Sequence, residues 1–396
     1  MTSSTALDLL LRYVDAVVPE DDLKAKLGQG RPLRVKLGMD PTAPAVTLGW
    51  AVVLRKLRQF QELGHTAVLI VGDFTAQVGD PSDRSSQRKR LTPDEVNAYA
   101  SSVLGQFRKI LSEENLEIRH NSEWLESLDM RSLLELTSSA TVAQMLERGD
   151  FANRYREGTP ISVMEFLYPL LQGYDSVAVE ADVELGGSDQ LWNLMMGRAV
   201  QERFGQEPQV ALTVPLLVGT DGSKKMSQSL GNYIGIEDEP SEMFGKTMSL
   251  PDEAMPMWFR LAADLSPEQA ADVEEALASG ELHPNDAKRR LARAVVALYW
   301  GEGPAKDAEE AFDRVFKEGG VPADIEEYVI PDGDPVVLSA LIREIFGLSG
   351  SEAKRLLSQG AVKLDGDAVT ATEVPREAAA GKVIRVGKRR FARLVE

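Results

Sequence analysis

Three side chains in the stretch Tyr168–Gln190 have the types and spacing of a binding face. Tyr168, Gln172 and Asp175 stand at i, i+4 and i+7, so an α-helix would stack a phenol, an amide and a carboxylate on one side. Such a face can line a small polar pocket. The following VAVEADVEL is compatible with an extended run and leads into Gly186-Gly187-Ser188-Asp189-Gln190. Paired glycines there let a ligand approach the backbone, and Asp189 can accept from ribose hydroxyls. An amphipathic helix, a strand and a glycine turn capped by Ser188 or Asp189 accounts for the same residues without a ligand.

The elements around this stretch decide where the other chemistry-bearing loops sit. Leu33–Leu37 predicts a short strand running into Gly38-Met39-Asp40-Pro41-Thr42-Ala43-Pro44. After Val46-Thr47-Leu48-Gly49-Trp50, the run AVVLRKLRQFQELG predicts a helix of about fifteen residues stopped by Gly64. Thr66–Val71 is apolar and β-branched, as suits a buried parallel strand. Strand, crossover helix and strand make a βαβ unit whose ligand belongs at the carboxyl ends of the strands. Asp40 leaves the first strand at that edge, and the TLGW stretch begins the crossover helix, where free N–H groups favour phosphate.

The second strand ends in Gly72–Ser82, a loop with Thr75 and Asp80 that also reads as an ordinary turn. Arg84, Arg88, Lys89 and Arg90 follow as a basic loop near the expected phosphates. Residues 92–111 suit a helix capped by Thr92, with Glu95 completing a capping box. Leu116–Arg119 predicts a strand that ends in Asn121-Ser122-Glu123-Trp124. Further on, Leu191–Phe204 predicts a helix and Val210–Val214 a strand, which leads to a Gly/Ser/Lys loop through Lys224, Lys225, Met226, Ser227, Gln228 and Ser229. Ahead of all these, residues 5–27 predict one amphipathic helix.

Composition narrows the function classes. A chain of 396 residues is long enough for two or three domains with a sizeable core. Its net charge of −18 opposes long-range attraction to a polyanion, so a nucleic-acid partner needs a local basic patch. With no cysteine, disulfides, thiolate metal sites and thiol nucleophiles are excluded, and His65, His120 and His283 are too scattered to suggest a histidine cluster. The N-terminus lacks a basic n-region and no apolar run approaches membrane-spanning length, so a cytoplasmic protein is expected.

Residues 236–320 switch to helical patterning without strand candidates, and the acidic, proline-rich VPADIEEYVIPDGDP reads as a linker. The tail from Val337 to Glu396 holds 11 Lys and Arg against 7 Asp and Glu, a net +4 that leaves −22 for the remainder. That asymmetry points to an RNA-facing module.

In this order the helical face, the glycine turn and the loops resemble the tyrosine and adenosine sites of bacterial tyrosyl-tRNA synthetases, class I enzymes on a Rossmann-type sheet. The resemblance spans nearly the whole chain: Ser351-Glu352-Ala353-Lys354-Arg355-Leu356-Leu357 with Gln359-Gly360 and Asp365-Gly366 resembles S4-type RNA-binding domains. The implied fold is α/β: a Rossmann-type parallel-sheet catalytic domain over 1–232 with a connecting insertion around 125–165. An α-helical anticodon-facing domain over 233–320, a linker over 321–336 and a small α+β S4-like domain over 337–396 would follow. The resemblance assigns tyrosine to Lys36, Gly38, Thr75, Asp80, Tyr168, Gln172, Asp175 and Gln190. It assigns ATP to Asp40, Thr47, Gly49, Gly187, Asp189, Lys225 and Gln228, with Thr47, Trp50, Lys225 and Gln228 in the catalytic positions. RNA contacts fall to Lys354, Arg355, Lys388, Arg389, Arg390 and Arg393.

Two motifs depart from the family. Of its His-x-Gly-His only Gly49 is kept, with Thr47 and Trp50 in the histidine positions, and in KMSQS Gln228 replaces the second lysine of KMSKS. The implied activity is tyrosine–tRNA ligation in a homodimer, with L-tyrosine, ATP and tRNA-Tyr as partners, Mg²⁺ entering with ATP, no dedicated protein metal site and no membrane. A synthetase-derived protein that binds tyrosine, nucleotide or RNA with weak or lost adenylation is the alternative that the two motifs leave open.

Overall fold

Runs such as TAVLIV and VALTV carry no charge and can be covered on both faces, the pattern of strands inside a parallel sheet. Six strands, β1 (Ala16–Val18), β2 (Arg34–Met39), β3 (Thr66–Val71), β4 (Leu116–His120), β5 (Val183–Gly187) and β6 (Val210–Val214), form one sheet in the order β1-β6-β5-β2-β3-β4. All pairings are parallel except that of β1 with β6. The chain runs outward from β2 through β3 to β4 on one side and from β5 to β6 on the other. The order therefore reverses between β2 and β5, where open α/β sheets hold their ligands. This computed structural model describes residues 3–81, 92–316, 326–387 and 390–395. Arg84, Arg88, Lys89 and Arg90 of the basic loop, and Lys388 and Arg389 of the tail, lie outside the described residues.

The chain forms two compact units, Met1–Glu239 with Lys246–Tyr299 and Pro240–Gly245 with Trp300–Glu396. Helices accompany the sheet in the first: α1 (Ser3–Leu10), α2 (Glu20–Gly28), α3 (Leu48–Glu62), α4 (Thr75–Val78), α5 (Pro93–Phe107) and α6 (Ser122–Leu125). The stretch expected as an insertion holds α7 (Met130–Thr137), α8 (Val142–Met145) and α9 (Gly149–Glu157), ahead of α10 (Val163–Ala178) and α11 (Leu191–Arg203). The capping box of Thr92 and Glu95 is present at the start of α5. Gly64, which follows α3, has φ +86°, a backbone that residues with a Cβ rarely adopt. The helical stretch continues through α12 (Pro240–Met248), α13 (Met255–Leu261), α14 (Pro267–Ser279), α15 (Pro284–Trp300) and α16 (Glu302–Phe316).

In the second unit lie β7 (Glu327–Val329), β8 (Val336–Val337), α17 (Leu338–Phe346), α18 (Gly350–Ser358), β9 (Val362–Leu364), β10 (Asp367–Ala368), β11 (Glu373–Val374), α19 (Arg376–Ala379), β12 (Val383–Val386) and β13 (Arg390–Val395). A five-stranded sheet of order β10-β9-β12-β13-β7 and a small β8/β11 pair share a core that includes Leu341, Ile342, Leu357, Ile384 and Leu394.

Three expectations are corrected. Residues 5–27 are not one helix: Tyr13 adopts φ +51° after α1, and the apolar Ala16–Val18 adds to the sheet edge as β1 instead. VAVEADVEL is not extended throughout, because its first two residues complete α10 and Glu180 turns the chain at φ +51° before β5 starts at Val183. The expected linker contains β7, which pairs in parallel with β13 and packs Tyr328 against the second unit's core.

Asp182 fastens the amino ends of the central strands. Its carboxylate accepts from both Arg31 terminal nitrogens at 2.8 and 2.6 Å and from the Arg34 backbone N–H at 2.9 Å. Burial pushes its carboxyl up, but the hydrogen bonds from Arg31 and Arg34 outweigh that and hold it below the ordinary carboxylate range. A depressed folded pKa stabilises above the unfolded value, and that stability is lost as pH falls through the folded one. Asp182→Ala should cost roughly 1.5–3 kcal/mol in urea unfolding at neutral pH. The gap to the unmodified protein should narrow in acid.

Candidate active site

A cleft of about 1370 Å³ opens at the carboxyl ends of β2, β3, β5 and β6. Its wall includes Gly38 and Asp40 after β2, Thr75 and Asp80 after β3, Gly187, Asp189 and Gln190 after β5, and Tyr168, Gln172 and Asp175 from α10. Thr47, Gly49 and Trp50 at the start of α3 and Lys225 and Gln228 of the lysine loop line it as well. Of the site residues expected in this unit, Lys36 alone is absent from the wall.

The face of α10 is held by the strand-end loops. Tyr168 donates its phenol proton to Asp40 Oδ2 at 2.9 Å, and Thr75 Oγ1 donates to Asp40 Oδ1 at 2.7 Å. Asp40, expected on the nucleotide, thus bonds Tyr168 and Thr75, both expected on tyrosine. Asp175 accepts from Trp124 Nε1 at 2.8 Å and from Asn121 Nδ2 at 3.3 Å, and that Asn121 amide also reaches Thr75 Oγ1 at 2.9 Å. The expected Asn-x-x-Trp loop is the start of α6, which turns both side chains onto Asp175.

Burial pushes the Asp40 carboxyl up to about 7; Asp80 and Asp175 add to this, and the Thr75 and Tyr168 hydrogen bonds oppose it. Burial likewise lifts Asp175 to about 6, against the pull of Lys36, Trp124 and Asn121. The Tyr168 phenol is pushed well above its ordinary range by burial and by Asp40, so it stays protonated and donates.

Asp80 meets Arg148 at 3.3 Å and accepts from Gln190 Nε2 at 3.0 Å. Arg148, at the start of α9, is buried against Phe151 and Trp192 and also reaches Asp150 at 2.8 Å and Asn193 Oδ1 at 3.0 Å. Nothing in the sequence singled out Arg148, because Asp80, Trp192 and Asn193, which it meets, lie far along the chain. Lys36 is fully buried and bonds Glu184 Oε1 at 2.9 Å, Gln172 O at 2.8 Å and Ser176 Oγ at 2.8 Å. Glu184 was also missed, although a lone acid in the apolar strand VELGG signals a buried partner.

On the other side Thr47 caps α3, accepting from Trp50 N at 3.4 Å. A Cβ at Gly49 would rest in ordinary contact with Thr47 and Met226, so the fold itself does not demand glycine there. At Gly187 a Cβ would lie 2.7 Å from Leu216 Cδ2 and 2.9 Å from Asp189 Oδ1, so those two side-chain ends would have to move to admit one. Lys225 Nζ bonds Asp189 Oδ2 at 3.1 Å, and Gln228 Nε2 donates to Ala45 O at 2.6 Å. Asn232 ties the lysine loop down by accepting from Ser227 N at 2.9 Å and donating to Asp221 at 2.5 Å. Among the described residues no three His, Cys, Asp or Glu side chains gather as a metal site, and no helix is long and apolar enough to cross a membrane.

A switch-point cleft faced by a helix start and a lysine loop is the layout of a nucleotide-using class I synthetase domain. The family model for class I tRNA synthetases (W and Y) matches residues 28–317. The tyrosine–tRNA ligase of Moorella thermoacetica is 50% identical over 392 residues, covering 98% of this chain and 95% of that protein. That of Thermotoga maritima is 46% identical over 395 residues, covering 100% and 98%. The chain belongs to the tyrosine–tRNA ligase family of class I tRNA synthetases. The crystal structure of tyrosyl-tRNA synthetase complexed with L-tyrosine from Archaeoglobus fulgidus has a TM-score of 0.64 at 24% identity, covering 78% of this chain and 99% of that one, and bears on the fold alone.

Raised carboxyls make the free protein sensitive to alkali rather than acid at this site. Asp40 and Asp175 hold protons more tightly folded than unfolded, so their contribution is fully present below the ordinary carboxylate pKa and is lost as pH rises through about 6 and about 7. Asp40→Asn should remove part of that slope: its unfolding midpoint, relative to the unmodified protein, should improve as pH is raised from about 5 to about 8.

Proposed function

We infer that the chain is a tyrosine–tRNA ligase that works in two steps at this cleft. The tyrosine carboxylate attacks the α-phosphorus of ATP, forming tyrosyl-adenylate and releasing pyrophosphate. A terminal ribose hydroxyl of tRNA-Tyr then attacks the activated carbonyl and AMP leaves. Neither step needs a protein nucleophile, so positioning and charge stabilisation supply the rate. The observation that carries this reading is the convergence on one cleft of the α10 face and the lysine loop, in a chain that aligns over nearly its whole length with relatives named tyrosine–tRNA ligase.

In this reading Asp175 accepts from the tyrosine phenol, while Asp80, Gln172 and Tyr168 surround its ammonium, with Gly38, Thr75 and Gln190 completing the wall. Asp189 takes the ribose, Gly49 lets the adenine lie against the backbone, and Thr47, Trp50 and Lys225 face the phosphates. Mg²⁺ accompanies ATP and sits on its phosphates. Gln228, bonded to Ala45 O, anchors the loop in place of a lysine's charge. In the insertion and at the start of α10, Met130, Leu134, Val142, Tyr155 and Val163 are exposed, which supports a homodimer contact there. Lys354, Arg355, Arg390 and Arg393 are exposed and are proposed to meet tRNA phosphates. A cytoplasmic location goes with this reading.

Tyrosine-dependent pyrophosphate exchange tests the activity directly, and its absence would leave only a binding protein. Sites that hydrogen-bond a substrate hydroxyl reject the deoxy analogue by roughly 10⁴–10⁵, a ratio whose standing example is this enzyme class. Asp175→Ala should collapse the preference for tyrosine over phenylalanine, and undiminished discrimination would remove Asp175 from its role. The Lys354→Glu/Arg355→Glu pair should weaken tRNA binding and lower the slope of log affinity against log salt by about 1 for each phosphate that is no longer neutralised. Adenylate formation should be unaffected.

A further inference from the structure

Lys36 and Glu184 are register partners on the adjacent parallel strands β2 and β5, 0% and 1% exposed, with Nζ and Oε1 at 2.9 Å. Their chain neighbours Val35, Leu37, Val183 and Leu185 are buried and apolar, so packing alone does not call for charge here. A buried ion pair is often no more stable than an apolar pair of similar volume, which directs attention to what else the pair does.

Its remaining bonds converge on α10. Lys36 donates to Gln172 O and Ser176 Oγ, one turn apart. Glu184 Oε1 accepts from Gln172 Nε2 at 3.0 Å, while Oε2 accepts from Ser176 Oγ at 3.3 Å and from Gln209 Nε2. Of these partners only Gln172 also lines the cleft. An amide has a donor end and an acceptor end. With its nitrogen committed inward to Glu184, Gln172 is left with its oxygen for the cleft, between Tyr168 and Asp175 on the same helix.

We propose that Glu184, held by Lys36, is a positioning residue that fixes the Gln172 amide with its oxygen toward the cleft and so sets how strongly the site takes an amino acid's ammonium group. Lys36 itself does not touch substrate. Without Glu184 the amide is free to turn its NH₂ toward the cleft, where it opposes a cation. This rests on the reading of the cleft as a tyrosine site.

The test is the charge-balanced double variant Lys36→Met/Glu184→Leu, which leaves no buried charge unpaired. Two ligands are compared by calorimetry: tyrosine, and 3-(4-hydroxyphenyl)propionate, which keeps ring, phenol and carboxylate but lacks the ammonium. Losing a hydrogen bond to a charged group corresponds to roughly 10–100-fold, so tyrosine binding and its KM in pyrophosphate exchange should weaken by that factor. The KM for ATP and binding of the propionate should stay within about twofold, while Lys36→Met/Glu184→Gln, which keeps an acceptor oxygen for the Gln172 amide, should bind tyrosine within about twofold of the unmodified protein. Equal weakening of both ligands, no weakening of either, or a tyrosine-selective loss in Lys36→Met/Glu184→Gln overturns the proposal, and so does failure of both variants to fold, since the pair is then structural. If the unmodified protein neither binds nor activates tyrosine, the functional reading falls, and this inference with it.

Discussion

A hydrogen-bonded chain from Tyr168 through Asp40, Thr75 and Asn121 to Asp175 holds the cleft together. It crosses the loops that leave β2, β3 and β4 and begins and ends on α10. Each link exists because a parallel sheet delivers its strand ends to one edge, where backbone ladders stop and side chains must satisfy one another. Burial at that edge makes the carboxyls dear to ionise, and the neutral donors around them compensate in part. The same side chains thus settle the loop conformations and the polarity offered to a ligand.

That polarity is uneven along the wall. Asp40, Asp80 and Asp175 accompany the α10 face, where a cation is favoured, while Lys225 of the lysine loop is bonded to Asp189. A triphosphate entering this acidic space meets repulsion unless the lysine loop and a bound cation offset it. The loop's attachments, Gln228 to Ala45 and Asn232 to Ser227 and Asp221, are neutral or internal, which leaves Lys225 as the charge the loop brings to the opening.

The sequence was most readable where one segment carries the whole signal. Thr66–Val71 and Val210–Val214 have the expected bounds because uncharged runs rich in β-branched residues stop at strand breakers, Gly72 after the first and Pro215 after the second. Tyr168, Gln172 and Asp175 share a face because helical periodicity is local. What escaped depends on partners far along the chain. β1 and β7 are three-residue strands that exist only through pairing with β6 and β13. Lys36 carries a charge whose meaning lies in Glu184, and Asp40 has its partner Tyr168 on a helix far along the chain. Family likeness supplied positions for the site, but hydrogen bonding decided which neighbours each residue serves.

In the second unit β13 lies between β12 and β7, although it follows both in the chain. An inner strand of this sheet is therefore the last of its strands to leave the ribosome. Until it arrives, β7 has no partner and β12 presents a bare edge, so a nascent chain carries an exposed, strand-sized slot. Premature termination within this segment would remove an inner strand rather than fray a margin, and quality-control proteases would meet an open sheet rather than a shortened one.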